Sequence, residues 1–373
     1  MADADTAVAP DKTVTGKPHY EVLDGMRGSA AIMVVLFHIM GMAVSWADSG
    51  QLLHHAALAV DFFFGLSGFV VAYAYDDRWK TMSTGQFFLI RLVRLHPLVI
   101  LGTILGLLSF LFDPFPDNQK IFPMATVLKD VALACLLIPY NALPNRWSDT
   151  HSLNSPAWTL MQEYIGNIAY ALVLRRLATW LLGIVVVAAA VLLALMAWRV
   201  NSVDQGAGWE SFWGGPTRMG FSFTMGLWLY RVRDHFPKLR LGWGVLTVVL
   251  AALFAMPLVP QSIAHGNGMY EAFVTIVLFP MIIVFGAHSN LGKVEMAICK
   301  LAGRMSYPIY ILHFPFLLIY MNFVNFRKPA PDVAYTAGAV VLVVVVVFSW
   351  LALTFYDEPI RKMLKPLTTR RKA

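Results

Sequence analysis

The chain has 373 residues, of which 58% are hydrophobic and only 14% charged, and its mean hydropathy is +0.62. Soluble domains carry about 25% charged residues, so the composition excludes an ordinary soluble enzyme and predicts an all-α, polytopic helical bundle in a membrane. A net charge of +7 would suggest nucleic acid for a soluble protein; here it reads as loop lysines and arginines that set orientation, and no nucleic-acid partner is expected.

Residues 1–20 are polar, mixed in charge and without the apolar core of a signal peptide, which predicts a disordered cytoplasmic tail. A membrane domain over 21–363 and a short basic cytoplasmic tail, 364–373, are expected to follow. Apolar windows fall near 28–46, 54–75, 90–112, 157–174, 178–198, 213–230, 241–258, 270–286, 305–323 and 334–355, and predict about ten spans. A further window, 121–140, carries Lys129 and Asp130 at its centre. If it crosses, every later loop changes sides and fewer than half of the 29 Lys and Arg residues lie inside; if it stays on the outer face, most of them do. The window therefore reads as a re-entrant or interfacial helix, with both termini cytoplasmic. Cys135 and Cys299, in or near apolar stretches, give no basis for a disulfide framework or a metal cluster, and no metal is expected.

The first span begins DGMRGSAAIMVVLFH. Eleven helical steps separate Arg27 from His38, three turns plus about 20°, so both leave the helix along one stripe about 16 Å apart. Anchoring arginines and hydrogen-bonded core histidines are common, yet an ionisable group at the bilayer centre is by default a functional candidate. In the second span, VDFFFGLSGFVVAYAY, Gly65 and Gly68 flank Ser67 and permit close helix approach. The third opens FFLIRLVRLHP, placing Arg91 and Arg94 on one face at the inner boundary, where paired guanidinium forks suit phosphate. In NSPAWTLMQEY, Asn154 to Pro156 form a turn into a helix, Trp158 suits the interfacial aromatic belt, and Glu163 lies deeper, toward the outer side. MSYPIYILHFPF puts His313 about 14 Å beyond Arg304, bracketed by Pro308 and Pro315. Asp357 and Glu358 in YDEPIRKML read as a solvated helix end. Cations at the inner rim and bases at mid-membrane fit a transmembrane group-transfer enzyme. A proton-coupled transporter or exporter using the histidines as a relay, and an assembly protein using polar groups as helix glue, are the competing readings.

Six of these segments, in this order from about residue 20 to 363, resemble the acyltransferase 3 family of membrane-bound O-acyltransferases. The resemblance implies transfer of an acyl group, acetyl in the first instance, from cytoplasmic acyl-CoA to a carbohydrate hydroxyl, within the inner membrane of a bacterium. It implies His38 as the catalytic histidine with Arg27 its motif arginine, and Arg91 and Arg94, with Ser67, on the acyl-CoA side. Glu163 and His313 match recurrent positions, expected to orient His38 or the acceptor. Thr159 stands where relatives often have serine, which keeps the hydroxyl. A neutral His38 could act as general base or as the acylated nucleophile, and both routes stay open, as does a homo-oligomer.

Overall fold

The computed structural model describes residues 19–44, 50–115, 122–141, 143, 146 and 148–368. Residues 1–18 of the expected N-terminal tail and 369–373 of the expected C-terminal tail lie outside the described residues. Fourteen helices follow one another: α1 (Glu21–Ala43), α2 (Ala59–Tyr75), α3 (Thr84–Leu111), α4 (Met124–Cys135), α5 (Ala157–Leu172), α6 (Thr179–Val200), α7 (Gly214–Val232), α8 (Trp243–Phe254), α9 (Gly266–Phe273), α10 (Phe279–His288), α11 (Lys293–Leu312), α12 (Phe314–Arg327), α13 (Pro331–Ala352) and α14 (Glu358–Thr368). Single π-turns, Val274–Leu278 and Leu353–Asp357, join α9 to α10 and α13 to α14 without a break in direction. Local chemistry sets the ends. The Ser83 hydroxyl caps α3 by accepting from the Gln86 N–H at 3.2 Å, Asn201 closes α6 in the left-handed conformation, and Pro331 opens α13.

Seven helical stretches among the described residues are long and apolar enough to cross a membrane: 21–43, 56–78, 84–111, 179–200, 266–288, 293–327 and 331–368. The three remaining predicted windows are α5, α7 and α8. Of these α8 has twelve residues, about 18 Å of helix against a hydrocarbon core of about 30 Å. The 121–140 window holds only α4, equally short, which buries one stripe (Val127, Asp130, Ala134) and leaves Lys129 exposed over the Tyr140 ring. No strand occurs among the described residues; isolated bridges pair Tyr140 with His151 and Asp149 with Gly208.

The core is built where small residues let backbones touch. α2 and α7 cross so closely that a Cβ on Gly68 would lie 2.1 Å from the Phe223 carbonyl oxygen, and one on Gly226 2.0 Å from that of Gly65. This is the close approach expected of the GLSG segment. α1 packs on α11 in the same way, with Gly28 facing the Ala302 backbone. At the periphery α6 buries only Leu182, Leu193 and Ala197, leaving a lipid-facing surface.

Three expectations are corrected. Trp158 is buried, not in an interfacial belt, because the first turn of α5 points it into the bundle with the Arg218 guanidinium 5.6 Å from its ring. Asp357 is fully buried and ion-paired with Arg361 one turn on, so this helix end is not solvated. The boundary expected between 363 and 364 falls inside α14, whose last residue accepts a hydrogen bond from Gln86 of α3.

Candidate active site

A cavity of about 670 Å³ opens at the face where α1 and α11 begin. Its mouth is cationic. Arg27 comes from α1, Arg91 and Arg94 from α3, Lys300 and Arg304 from α11, and Arg361 from α14; the lining carboxylates are Glu21, Asp24, Glu163 and Glu358. Four of the cations are matched: Arg27 with Asp24 at 3.4 Å, Arg304 with Glu358 at 2.7 Å, Arg361 with Asp357, and Arg91 with Glu163. Arg94 and Lys300 are exposed and have no carboxylate at ion-pair distance among the described residues. On α3, Arg91 meets Glu163 of α5, and Arg94, three residues on, lines the cavity.

From the mouth the cavity runs along α2 from Val70 past Ser67 to Val60, ten residues and so about 15 Å. Its far end is apolar and aromatic, formed by Val60, Phe63, Phe64, Leu160 and Tyr310. Tyr310 is held in place: its hydroxyl donates to Thr159 Oγ1 at 3.1 Å, and that hydroxyl donates to the Pro156 carbonyl at 2.8 Å. Thr159 thus uses the hydroxyl that the sequence retained in place of serine.

The two histidines lie behind this end wall. The rings of His38 and His313 stack with centroids 5.6 Å apart, and His313 sits 6.0 Å from the Tyr310 ring. Neither histidine lines the cavity, though His38 is only partly buried. On α1, Arg27 is in the cavity, while Ala31 and Val35, between it and His38, share a core cluster with Met305 and Ile309 of α11. The shared stripe therefore reaches the histidine without opening along its length.

His313 owes its position to a helix break. Pro315 has no N–H, so the Ile311 carbonyl loses its partner four residues on. The Asn154 side chain, carried by the turn before α5, donates to that oxygen at 2.9 Å. His313 Nδ1 faces the Tyr310 carbonyl at 2.7 Å and that of Ile309 at 3.2 Å, two acceptors, so Nδ1 carries the proton and Nε2 the lone pair. Buried Nε2 has no hydrogen-bond partner among the described residues. Its Nε2 is thus the uncommitted nitrogen, beside a second imidazole.

Glu163 is placed differently from expectation. It lies in the cavity wall, not toward the outer side, accepting from Arg91 and, at 3.0 Å, from the Ser67 hydroxyl on the same oxygen. It accepts from Arg91, whereas the His313 ring is stacked on that of His38. Sequence reasoning overlooked the α11 stripe: Lys300, Gly303, Tyr307 and Tyr310 recur at helical spacing along one face that ends at His313, a pattern readable in KLAGRMSYPIYILH.

Away from the mouth, a buried arginine and a buried glutamate are paired. Arg218, buried in α7, donates to Asp61 from Nε (3.1 Å) and Nη2 (2.7 Å), to Asp204 at 3.1 Å, and to the carbonyls of Gln205 and Ala57. Glu271 accepts from Ser202 and the Val203 N–H and pairs with His55 at 2.9 Å. Together they clamp the 201–206 segment onto α2, α7 and α9.

Comparison with known proteins bears on what this arrangement does. The family described as an acyltransferase domain matches residues 20–354. A curated relative, "Protein 2 in picA locus" from Rhizobium radiobacter, is 31% identical over 159 residues, 40% of this chain and 80% of its own. No solved structure matches. The chain belongs to the acyltransferase 3 family and is a polytopic helical membrane protein.

Proposed function

We propose that this membrane acyltransferase takes its acyl group, acetyl in the first instance, from acyl-CoA and transfers it to a hydroxyl of a carbohydrate, and that it does so in a bacterial inner membrane with both termini cytoplasmic. The supporting observation is the cavity: cations at the mouth, two of them unpaired, and an apolar end one ring away from an imidazole pair. Phosphate groups of CoA would meet Arg94, Lys300 and Arg27, where guanidinium forks and an ammonium hold phosphate by charge-assisted bonds. Arg91 is fixed by Glu163 and presents the rest of its fork to the ligand. The pantetheine arm then follows α2 inward, carrying the thioester toward Tyr310.

At the histidine pair an imidazole nitrogen takes the proton of the attacking hydroxyl. The oxygen–carbon bond forms as the carbon–sulfur bond breaks, and the proton passes to the CoA thiolate, a general-base contribution of roughly 10²–10⁴-fold. His38 is the base in this reading and His313 holds it by stacking. The test supplies purified protein in lipid discs with radiolabelled acetyl-CoA and membrane glycans. Label on carbohydrate, release of CoA, loss of both in His38→Ala, and a roughly tenfold or greater rise in KM for acetyl-CoA in Arg94→Ala are expected. Substrate flux driven by a proton gradient, without consumption of acetyl-CoA, would instead establish the transporter.

A further inference from the structure

The cavity end and the histidine pair are separated by one aromatic layer, and its two members are held very differently. Tyr310 cannot retreat. Its hydroxyl is bonded to Thr159, its carbonyl accepts from His313 Nδ1, and its backbone belongs to α11. Phe63 meets the Tyr310 ring edge-on at 5.2 Å and has no polar tether. It is partly buried, lines the cavity, and touches both the main core cluster and the smaller one containing Ala31, Val35 and Ile309. A ligand advancing along α2 meets Val60 and Phe63 at the point where it must turn toward the rings behind Tyr310. Of the two rings in that wall, Phe63 is the one without a polar tether.

We propose that Phe63 is the specificity-determining residue for the acyl group: its ring limits the site to short chains and must rotate for the acyl carbon to reach His38. This rests on the reading of the cavity as an acyl-CoA site. Chain-length discrimination follows from packing, since one methylene too many in a closed apolar pocket costs about 10- to 200-fold, while a wall residue reduced to Ala leaves room that a longer chain fills. The polar mouth lies far from this change and its hold on the nucleotide end is unaffected.

The experiment measures dissociation constants of CoA, acetyl-CoA, butyryl-CoA and octanoyl-CoA for the full-length protein in lipid discs, for wild type, Phe63→Ala and Phe63→Leu, and the relative transfer rates of the same donors. Wild type should bind CoA and acetyl-CoA and discriminate against octanoyl-CoA. Phe63→Ala should leave CoA affinity within about twofold and move the octanoyl-to-acetyl ratio, in binding and in transfer, by about tenfold or more toward the long chain, with Phe63→Leu between. Unchanged ratios in a variant that still binds CoA would overturn the role of Phe63 while leaving the donor site intact. Failure of wild type to bind CoA at all would overturn the donor reading, and this proposal with it. Thermal unfolding of each variant identifies misfolding, in which case Phe63→Leu carries the comparison.

Discussion

The two ends of the bundle use arginine in opposite ways. At the closed end Arg218 is fully buried and its donors are spent on Asp61, Asp204 and two carbonyls. At the open end Arg94 and Lys300 face the cavity with no carboxylate at ion-pair distance among the described residues. Burying a guanidinium is tolerable only when it is paired and hydrogen-bonded, so Arg218 is a structural fixture whose removal strands the buried Asp61. The proposed donor site needs the reverse, a cation at the mouth still able to meet an anion. Satisfaction, more than charge itself, separates the clamp from the site.

The sharpest way to break that contrast is Arg218→Ala. Removing one partner of a buried ion pair costs about 3–5 kcal/mol, and here Asp61 keeps no counter-charge within the bundle. We expect severe loss of monodisperse protein on size-exclusion chromatography and a large drop in unfolding temperature, whereas Arg94→Ala should melt like wild type and lose donor affinity. Equal thermal stability of the two variants would erase the distinction.

This division was only partly legible in the sequence. Arg27 and His38 lie on one helix, and helical geometry alone aligns them; the Arg91–Arg94 pair is local in the same sense. The Arg91–Glu163 pair joins α3 to α5 across 72 residues, and which face of α5 turns toward α3 is decided by packing, which no spacing records. For that reason Glu163 was expected toward the outside. Asp61 opens an otherwise apolar span, and its partner Arg218 sits in a glycine-rich helix whose composition gives no sign of a buried cation. The wall of Phe63 and Tyr310 was invisible for a different reason: a stripe shared by Arg27 and His38 does not reveal that α11 fills the space between them.

A smaller effect tests the loop that covers the clamp face. Burial raises the Asp149 carboxyl to about 6, against a weaker lowering by the Ser155 hydrogen bond, and burial pushes the His151 imidazole down to about 4. The signs oppose. Folded Asp149 holds its proton up to about pH 6, so its stabilisation is present in acid and disappears as pH rises through the window. Folded His151 stays neutral down to about pH 4 while the unfolded chain protonates, so its stabilisation is present near neutrality and disappears on acidification. Between about pH 4 and 6 the slopes of these two groups offset each other. Asp149→Asn removes one of them. The variant should lose on the order of 2 kcal/mol as pH falls through that range, read as an unfolding temperature that drops on acidification; a profile parallel to wild type would show that the carboxyl is not burdened by burial.

The smallest stability effect belongs to Asn154, and it sharpens the comparison because this residue links the clamp-side loop to the histidines. Gly106 of α3 admits the Leu153 backbone, to which a Cβ there would come within 2.2 Å, and the loop thereby delivers the Asn154 amide to the Ile311 carbonyl that Pro315 leaves unpaired. Asn154→Ala takes away that donor, a loss of about 1 kcal/mol. The cost is moderated because the Asn154 side-chain oxygen is itself buried without a partner, so its removal relieves an unmet acceptor. Stability should fall slightly, and CoA affinity should not change, since the cationic mouth is a cavity's length away. The transfer rate should fall well beyond what stability accounts for, because the turn that Asn154 secures sets where the His313 ring meets His38, and a displacement of about 1 Å in a catalytic constellation can cost 10²-fold. A variant with unaltered transfer would mean that the break at Pro315 holds its shape without Asn154, and that the histidine pair is positioned by α1 and α12 alone.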